Sequence, residues 1–184
     1  MSNLEKNIKI RQAITEALFT LLEKKSFSEI KVSDIVKEAS VARVSYYRNY
    51  DKKEDIISDY LVLLHEEMSN ALNSDTQEFL SIDSLTQRLT YSCKYFLSKK
   101  NYILTLYDNG FGSKMQEIFN IYTEELLGTM KYNSIKKYSL YFISGSSFNI
   151  LIQWLKNGTK ESPNQIASFC SEIFMNGIKN IFEN

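Results

Sequence analysis

The groups in this 184-residue chain that are best placed to do chemistry are cations and tyrosines, not acid–base pairs. From Arg43 to Lys53 the charged side chains are Arg43, Arg48, Lys52 and Lys53 against one acid, Asp51, and they are interleaved with Tyr46, Tyr47 and Tyr50. The whole chain balances 22 Lys+Arg against 22 Asp+Glu, so any bias toward nucleic acid must come from this local placement. Donors and flat aromatics set among cations suit a phosphate backbone and base edges. Catalysis finds little to work with. There is one histidine, His65, and no HExxH, GxGxxG, phosphate-cradling loop or GxSxG. Cys93 and Cys170 stand far apart with no CxxC or neighbouring histidine. They read as core thiols in a reducing compartment, and no catalytic residue, metal site or cofactor is expected. His65, at the edge of a helical apolar stripe, reads as a partly buried, hydrogen-bonded side chain.

The elements that must carry the cationic stretch are two short helices. Ile35, Val36 and Ala39 give one apolar face, with Ser33 and Asp34 as acceptors at its start and Ser33 the candidate cap. Ser40-Val41 breaks the run. A second short helix from Arg43 then points Val44 and Tyr47 back at the first and leaves Arg43, Ser45, Tyr46 and Asn49 outside. Arg43, Val44, Ser45 and Tyr46 form the candidate base-edge side.

The run Ile35-Val-Lys-Glu-Ala-Ser-Val-Ala-Arg-Val-Ser-Tyr-Tyr-Arg-Asn-Tyr-Asp-Lys-Lys-Glu-Asp-Ile-Ile57 resembles the signature of TetR-type bacterial transcription regulators, I-A-x-x-A-G-V-S-x-x-T-x-Y-x-H-F-x-x-K-E-x-L. The resemblance implies a helix-turn-helix whose second helix enters the major groove. It places Tyr47 and Lys53 on phosphates and turns the position of Ser45 toward the groove. With Ser33, Arg43, Val44, Tyr46 and Asn49, these make the expected DNA-binding set. The chain departs from the pattern at several points. Ser40 stands where glycine is usual and a positive φ is often wanted. Ala42 removes a capping hydroxyl, Asn49 replaces a common histidine, and Lys31 replaces a threonine.

One proline and six glycines in the chain point to long helices and an all-α fold of about nine helices. An amphipathic stripe from about Leu4 to Lys25 predicts a first helix that closes a three-helix DNA-binding domain over residues 1–60. Lys53 opens a connector helix that runs to about Leu72, before the polar break Asn73-Ser-Asp-Thr-Gln. Residues 61–184 form a second, strongly aromatic domain. Its helices are expected over Ile82–Lys99, Tyr102–Tyr107, Phe111–Gly128, Ile135–Lys156 and from Pro163 to the end, the fourth of them largely buried. In the family that the signature resembles, such a domain holds an effector cavity and a dimer interface. Tyr91, Tyr95, Phe96, Tyr107, Phe119, Tyr122, Phe148 and Gln153 are the candidate ligand-binding residues, and the last two helices are the candidate homodimer face. The partners so implied are a palindromic double-stranded operator, a second copy of the chain and a small-molecule effector. No apolar run is long enough to span a bilayer and the amino terminus lacks a leader-like core, so a cytoplasmic protein is expected. The reading from another class is a helical interaction module that touches no nucleic acid.

Overall fold

The structure is a computed structural model that describes residues 2–72, 81–127, 135 and 137–182. Among these residues there are nine α-helices and no strand. They are α1 (Asn3–Leu22), α2 (Val32–Glu38), α3 (Arg43–Tyr47), α4 (Lys53–Leu72), α5 (Ile82–Ser98), α6 (Lys100–Leu106), α7 (Gly112–Leu127), α8 (Lys137–Lys156) and α9 (Pro163–Phe182). A 3₁₀ turn, Phe27–Glu29, separates α1 from α2, and a π turn, Tyr107–Phe111, joins α6 to α7. The polar break from Asn73, the helix end at Gly128, and the side chains of Leu72, Leu126, Ile178 and Ile181 lie outside the described residues.

Local chemistry explains most helix starts. Ser2 caps α1 reciprocally: its Oγ accepts from Glu5 N at 3.1 Å while its own N–H donates to Glu5 Oε2 at 2.8 Å. Ser162 and Gln165 repeat the arrangement ahead of α9, with Pro163 as its first residue. Glu54 and Asp55 sit in the first turn of α4, at the positive end of its dipole. At α2 the expectation for Ser33 fails. Lys31 holds the cap position, Asp34 Oδ2 accepts the Lys31 N–H at 3.0 Å, and Ser33 is exposed on the first turn. The carboxylate reaches back where the hydroxyl, one residue earlier, does not. Lys25 Nζ lies 2.7 Å from the same Asp34 oxygen, and these partners hold the Asp34 carboxyl below its usual range, Lys25 first.

The main core runs without a break from Ile14, Leu18 and Leu21 of α1, through Ile35, Tyr46, Tyr50, Ile56 and Ile57, to Ile103, Leu106, Leu151 and Leu155. A second cluster, Leu85, Ile143, Cys170 and Phe174, fills the seam where α5 packs on α9. Cys170 is buried and Cys93 half-buried, both as free thiols. Along α7 and α8 the seam is polar: buried Ser144 donates to Asn120 Oδ1 at 2.7 Å and accepts from Gln116 Nε2 at 2.9 Å. Of the small run it is Ser144 that meets α7, a side chain at Gly145 would meet nothing within 4 Å, and α8 is not buried all round. Tyr138, Tyr141 and Phe142 are exposed at 60%, 54% and 64%, and on α9 Phe169 is exposed as well.

Beside that shared core and the edge-on contact of Phe19 with Tyr102, a polar joint ties the turn before α2 to the π turn. Phe27 N donates to Asn109 Oδ1 at 3.2 Å, and the Phe27 and Phe111 rings meet edge-on at 4.8 Å. The π turn reaches this place because Gly110 adopts φ 87, a value that a side chain would strain.

A candidate nucleic-acid interface and an apolar cavity

The turn between α2 and α3 passes through Ser40 at φ 53, so the residue standing in for glycine does take the left-handed conformation. Its Cβ makes that conformation costly. Beyond the turn, α3 begins at Ala42 with no side-chain cap. The helix is five residues long, too short to stand alone, and Tyr46 anchors it. Tyr46 is 0% exposed and packs against Tyr47 and Tyr50. Its hydroxyl has no hydrogen-bond partner among the described residues, and burial pushes its pKa up to about 12.

This reverses the expected orientation of α3. Tyr46 points inward, not at the base-edge side, while Val44 and Tyr47, expected to point back at α2, are 58% and 46% exposed. The inward stripe is Tyr46 and Tyr50, spaced i, i+4, and a side chain on that line cannot also face out. Arg43 lies on the open face with Tyr47: its Nη2 donates to Tyr47 Oη at 3.4 Å and its guanidinium sits 5.6 Å from the ring centroid. Ser45 is half-buried beside them. Asn49 does not stand free. It donates to Ser45 O at 2.8 Å and accepts from Asn7 Nδ2 at 2.9 Å, tying the first turns of α1 to the end of α3. Arg48 and Lys52 are exposed, and among the described residues their side chains have no bonded partner.

Lys53 is placed where the spacing could not put it. Its Nζ donates to Phe27 O at 2.5 Å, to Ile30 O at 2.7 Å and, more weakly, to Ser28 O at 3.4 Å, and it lies 4.4 Å from the Phe27 ring centroid. An ammonium has three N–H donors, and here all three are directed at one backbone turn. The side chain fastens α4 to the 3₁₀ turn. Behind it, Arg11 pairs with Asp59, which also accepts from Tyr50 Oη at 2.8 Å, so α1, α4 and the end of the α3 segment are cross-braced.

In the carboxyl-terminal half, an apolar cavity of ≈ 40 Å³ lies between α4, α5, α6, α7 and α8. Leu64 and Met68, Phe96, Phe119 and Tyr122, and Leu151 form much of its wall. This is room for a water or a methyl group, not for a drug-sized molecule. Of the candidate ligand-binding residues, Phe96, Phe119 and Tyr122 line it. Tyr91, Tyr95, Tyr107, Phe148 and Gln153 do not. Tyr91 and Gln153 face outward, and Tyr95 Oη donates to Glu67 Oε2 at 2.6 Å. Tyr107 and Phe148 contact each other beside the π turn, at the edge of a separate open groove. The Phe96, Phe119 and Phe148 rings fill the space between helices by packing on one another, which leaves little of it to line. Two residues of the wall, Tyr122 and His65, also carry polar groups, although the surface turned to the cavity is apolar. The Tyr122 hydroxyl is buried without a well-formed hydrogen bond. Burial raises its pKa to about 12 against a smaller opposing pull from Ser92. His65 Nε2 lies 2.7 Å from Glu125 Oε2, with Ser69 Oγ donating to the same oxygen at 3.1 Å, so a polar clasp joins α4 to α7 at the cavity wall.

The model of a transcriptional regulator C-terminal region, one of those describing TetR-type proteins, matches residues 83–176, more than half of the chain. The chain belongs to the TetR family of transcriptional regulators. No curated protein sequence matches it. Among solved structures it is similar to a TetR transcriptional regulator from Streptococcus agalactiae, at 19% identity and a TM-score of 0.62 over 92% of this chain and 95% of that one. It is also similar to the fatty acid degradation regulator FadR from Bacillus halodurans, at 17% identity and a TM-score of 0.64 over 92% and 96%. The dihydroxyacetone kinase operon activator DhaS follows at 14% identity and a TM-score of 0.60 over 93% and 97%. At these identities the likeness is one of fold, and it covers nearly the whole of each chain. The TetR assignment accounts for the all-helical architecture and the helix-turn-helix formed by α2 and α3. Among the described residues no helix is long and apolar enough to cross a membrane.

Two asparagines that brace the amino-terminal helices escape sequence reasoning. Asn7, on α1, buttresses α3 through Asn49, and Asn109, on the π turn, reaches Phe27. Neither belongs to the quoted signature, and no periodicity singles out an asparagine whose partner is distant in the chain.

Proposed function

We propose that this TetR-family protein is a homodimeric, ligand-responsive repressor that binds a palindromic operator, with residues 1–60 reading DNA and residues 61–184 binding an effector and the second subunit. The observation that carries the DNA reading is the open face of α3. There Arg43, Val44 and Tyr47 project on a helix whose other side is locked by Tyr46. Arg43, Val44 and Ser45 read base edges, the Tyr47 hydroxyl reaches a phosphate, and Arg48 and Lys52 add phosphate contacts. Lys53 leaves the phosphate set because its donors are already committed.

The exposed aromatic ridge of Tyr138, Tyr141 and Phe142 on α8, with Phe169 and Ile173 on α9, supports pairing with a second copy, since apolar groups so grouped gain from being covered. A two-fold axis there sets the two α3 helices about one DNA turn apart, roughly 34 Å. An effector that enlarges the Phe96–Phe119–Tyr122 cavity would press on α4, whose first turn is fastened to the amino-terminal core. Binding would then shift the population between two spacings of the α3 helices.

The test is binding to random duplex DNA over a range of salt. With Arg48 and Lys52 on phosphates in each subunit, about four in a dimer, log K falls against log salt with a slope of roughly −4. An absence of binding at low salt would instead favour a helical protein-interaction module and overturn the reading.

A further inference from the structure

The helix α3 begins without a side-chain cap and turns a single line of side chains inward, Tyr46 and, beyond its end, Tyr50. A short helix seated on one line can still roll about it, so its orientation depends on a hold placed to one side. Asn49 supplies that hold. The chain tightens after Tyr47: Asn49 N donates to Tyr46 O at 2.9 Å, and no backbone amide among the described residues donates to Ser45 O. Asn49 Nδ2 takes up that orphaned carbonyl at 2.8 Å. Because a carbonyl only accepts, this bond fixes which way round the Asn49 amide lies and turns its Oδ1 away from α3. There it accepts from Asn7 Nδ2 of α1 at 2.9 Å, with both side chains half-buried. The α1 end of the bridge is itself held. Ahead of Asn7 the reciprocal Ser2 and Glu5 cap closes the start of α1. One turn after it, Arg11 pairs with Asp59, the acceptor of the Tyr50 hydroxyl at 2.8 Å. The first turns of α1 therefore grip two consecutive residues after α3, Asn49 directly and Tyr50 by way of α4. Two holds fix an orientation where one would be a pivot.

We propose that Asn7 is a positioning residue that sets sequence preference: through Asn49 it fixes the roll of α3, and it touches no DNA itself. This rests on the reading of α3 as the DNA-reading helix. Hydrogen bonds to base edges weaken steeply once distance and angle depart from the ideal, so a small roll of α3 carries Arg43 and Ser45 off the bases that they read. Arg48 and Lys52 are long and exposed, and they follow a phosphate through the same rotation. Releasing the bridge therefore removes discrimination and leaves the grip on the backbone. A phosphate contact would behave in the opposite way, weakening all duplexes alike and lowering the salt slope.

The test compares the unaltered chain with Asn7→Leu, which keeps nearly the same shape and removes the donor, and with Asn7→Gln, which restores an amide donor. Each is titrated with random duplex and with the duplex that the unaltered chain enriches from a randomised pool. Asn7→Leu should hold random duplex within about twofold and with the same salt slope, while its preference for the enriched duplex falls about tenfold. Asn7→Gln should recover most of that preference. Asn7→Leu combined with Asn49→Leu should lose no more preference than Asn49→Leu alone, as one coupled pair does. In hydrogen exchange the Asn49 and Tyr50 amides should exchange about tenfold faster in Asn7→Leu, and those of α9 as before. Unchanged preference in Asn7→Leu, or additive losses in the double variant, would overturn the specificity role. Unchanged exchange at Asn49 and Tyr50 would overturn the bridge as a hold on α3, whether or not the protein binds DNA. Failure of the unaltered chain to bind random duplex at low salt is a different result, which overturns the reading of α3 and the specificity role with it.

Discussion

The two halves of the molecule solve opposite packing problems. Around α2 and α3 the interior is closed: Ile35, Tyr46, Ile56 and Ile57 are 0% exposed, and the groups left outside are mostly cations, small polar residues and Tyr47. Around α7 and α8 the interior retains a cavity and a seam of Gln116, Asn120 and Ser144, while large aromatics face outward. A closed interior holds a reading face at fixed geometry, whereas a loosely filled one can change volume at small cost. On the proposed function, the first half serves as template and the second as adjustable part.

The comparison breaks most visibly at the outward ridge. Phe142→Glu combined with Phe169→Glu should convert a dimer to a monomer in sedimentation and weaken operator binding at least a hundredfold, because two half-sites are then no longer held together. A variant still dimeric by sedimentation would move the subunit interface away from α8 and α9. On the reading face, Arg43→Ala should cost roughly 1–3 kcal/mol at the base pair it reads and relax preference there, measured by competition between operator variants. Lys53→Ala is expected to act on folding. Losing a charge-assisted grip on three carbonyls should lower unfolding free energy by about 1–3 kcal/mol in urea titration. The salt slope of DNA binding should stay nearly unchanged, and a drop of about one unit in that slope would return Lys53 to the phosphate set. Tyr46→Phe removes a buried hydroxyl with no partner and should stabilise the fold by roughly 1 kcal/mol without changing operator preference. The smallest effect is expected of Ser40→Gly, which relieves a left-handed backbone and should add roughly 0.5–1 kcal/mol in the same titration.

Much of the fold could be read from the chain because its signals are local. The scarcity of glycine and proline, the stripes of α1 and α4, and Pro163 at the head of α9 mark elements whose ends fall within a few residues of expectation. The positive φ at Ser40 was legible only through the glycine that the resembled signature carries at that position. Orientation inside α3 was not. In five residues Val44 and Tyr47 satisfy an i, i+3 pairing as well as any other, and only the continuation to Tyr50 shows that Tyr46 carries the inward line. The partners of Lys53 lie more than twenty residues earlier and are backbone atoms, which have no signature in side-chain pattern. The lining of the cavity was hard to read for a further reason. Aromatic density marks where volume is filled, and whether rings such as Phe148 line a space or occupy it depends on helix spacing that composition does not encode.

The turn at Phe27 has a consequence for where substitutions can be felt. Its carbonyl is held by Lys53, its amide by Asn109 and its ring by Phe111. A disturbance in the bend between α6 and α7 therefore arrives at the root of α4 across a single phenylalanine, without travelling the length of any helix. Asn109→Ala should accordingly loosen protection of the Ile30 amide, which donates to Phe27 O, in hydrogen exchange while leaving the amides of α9 as they were.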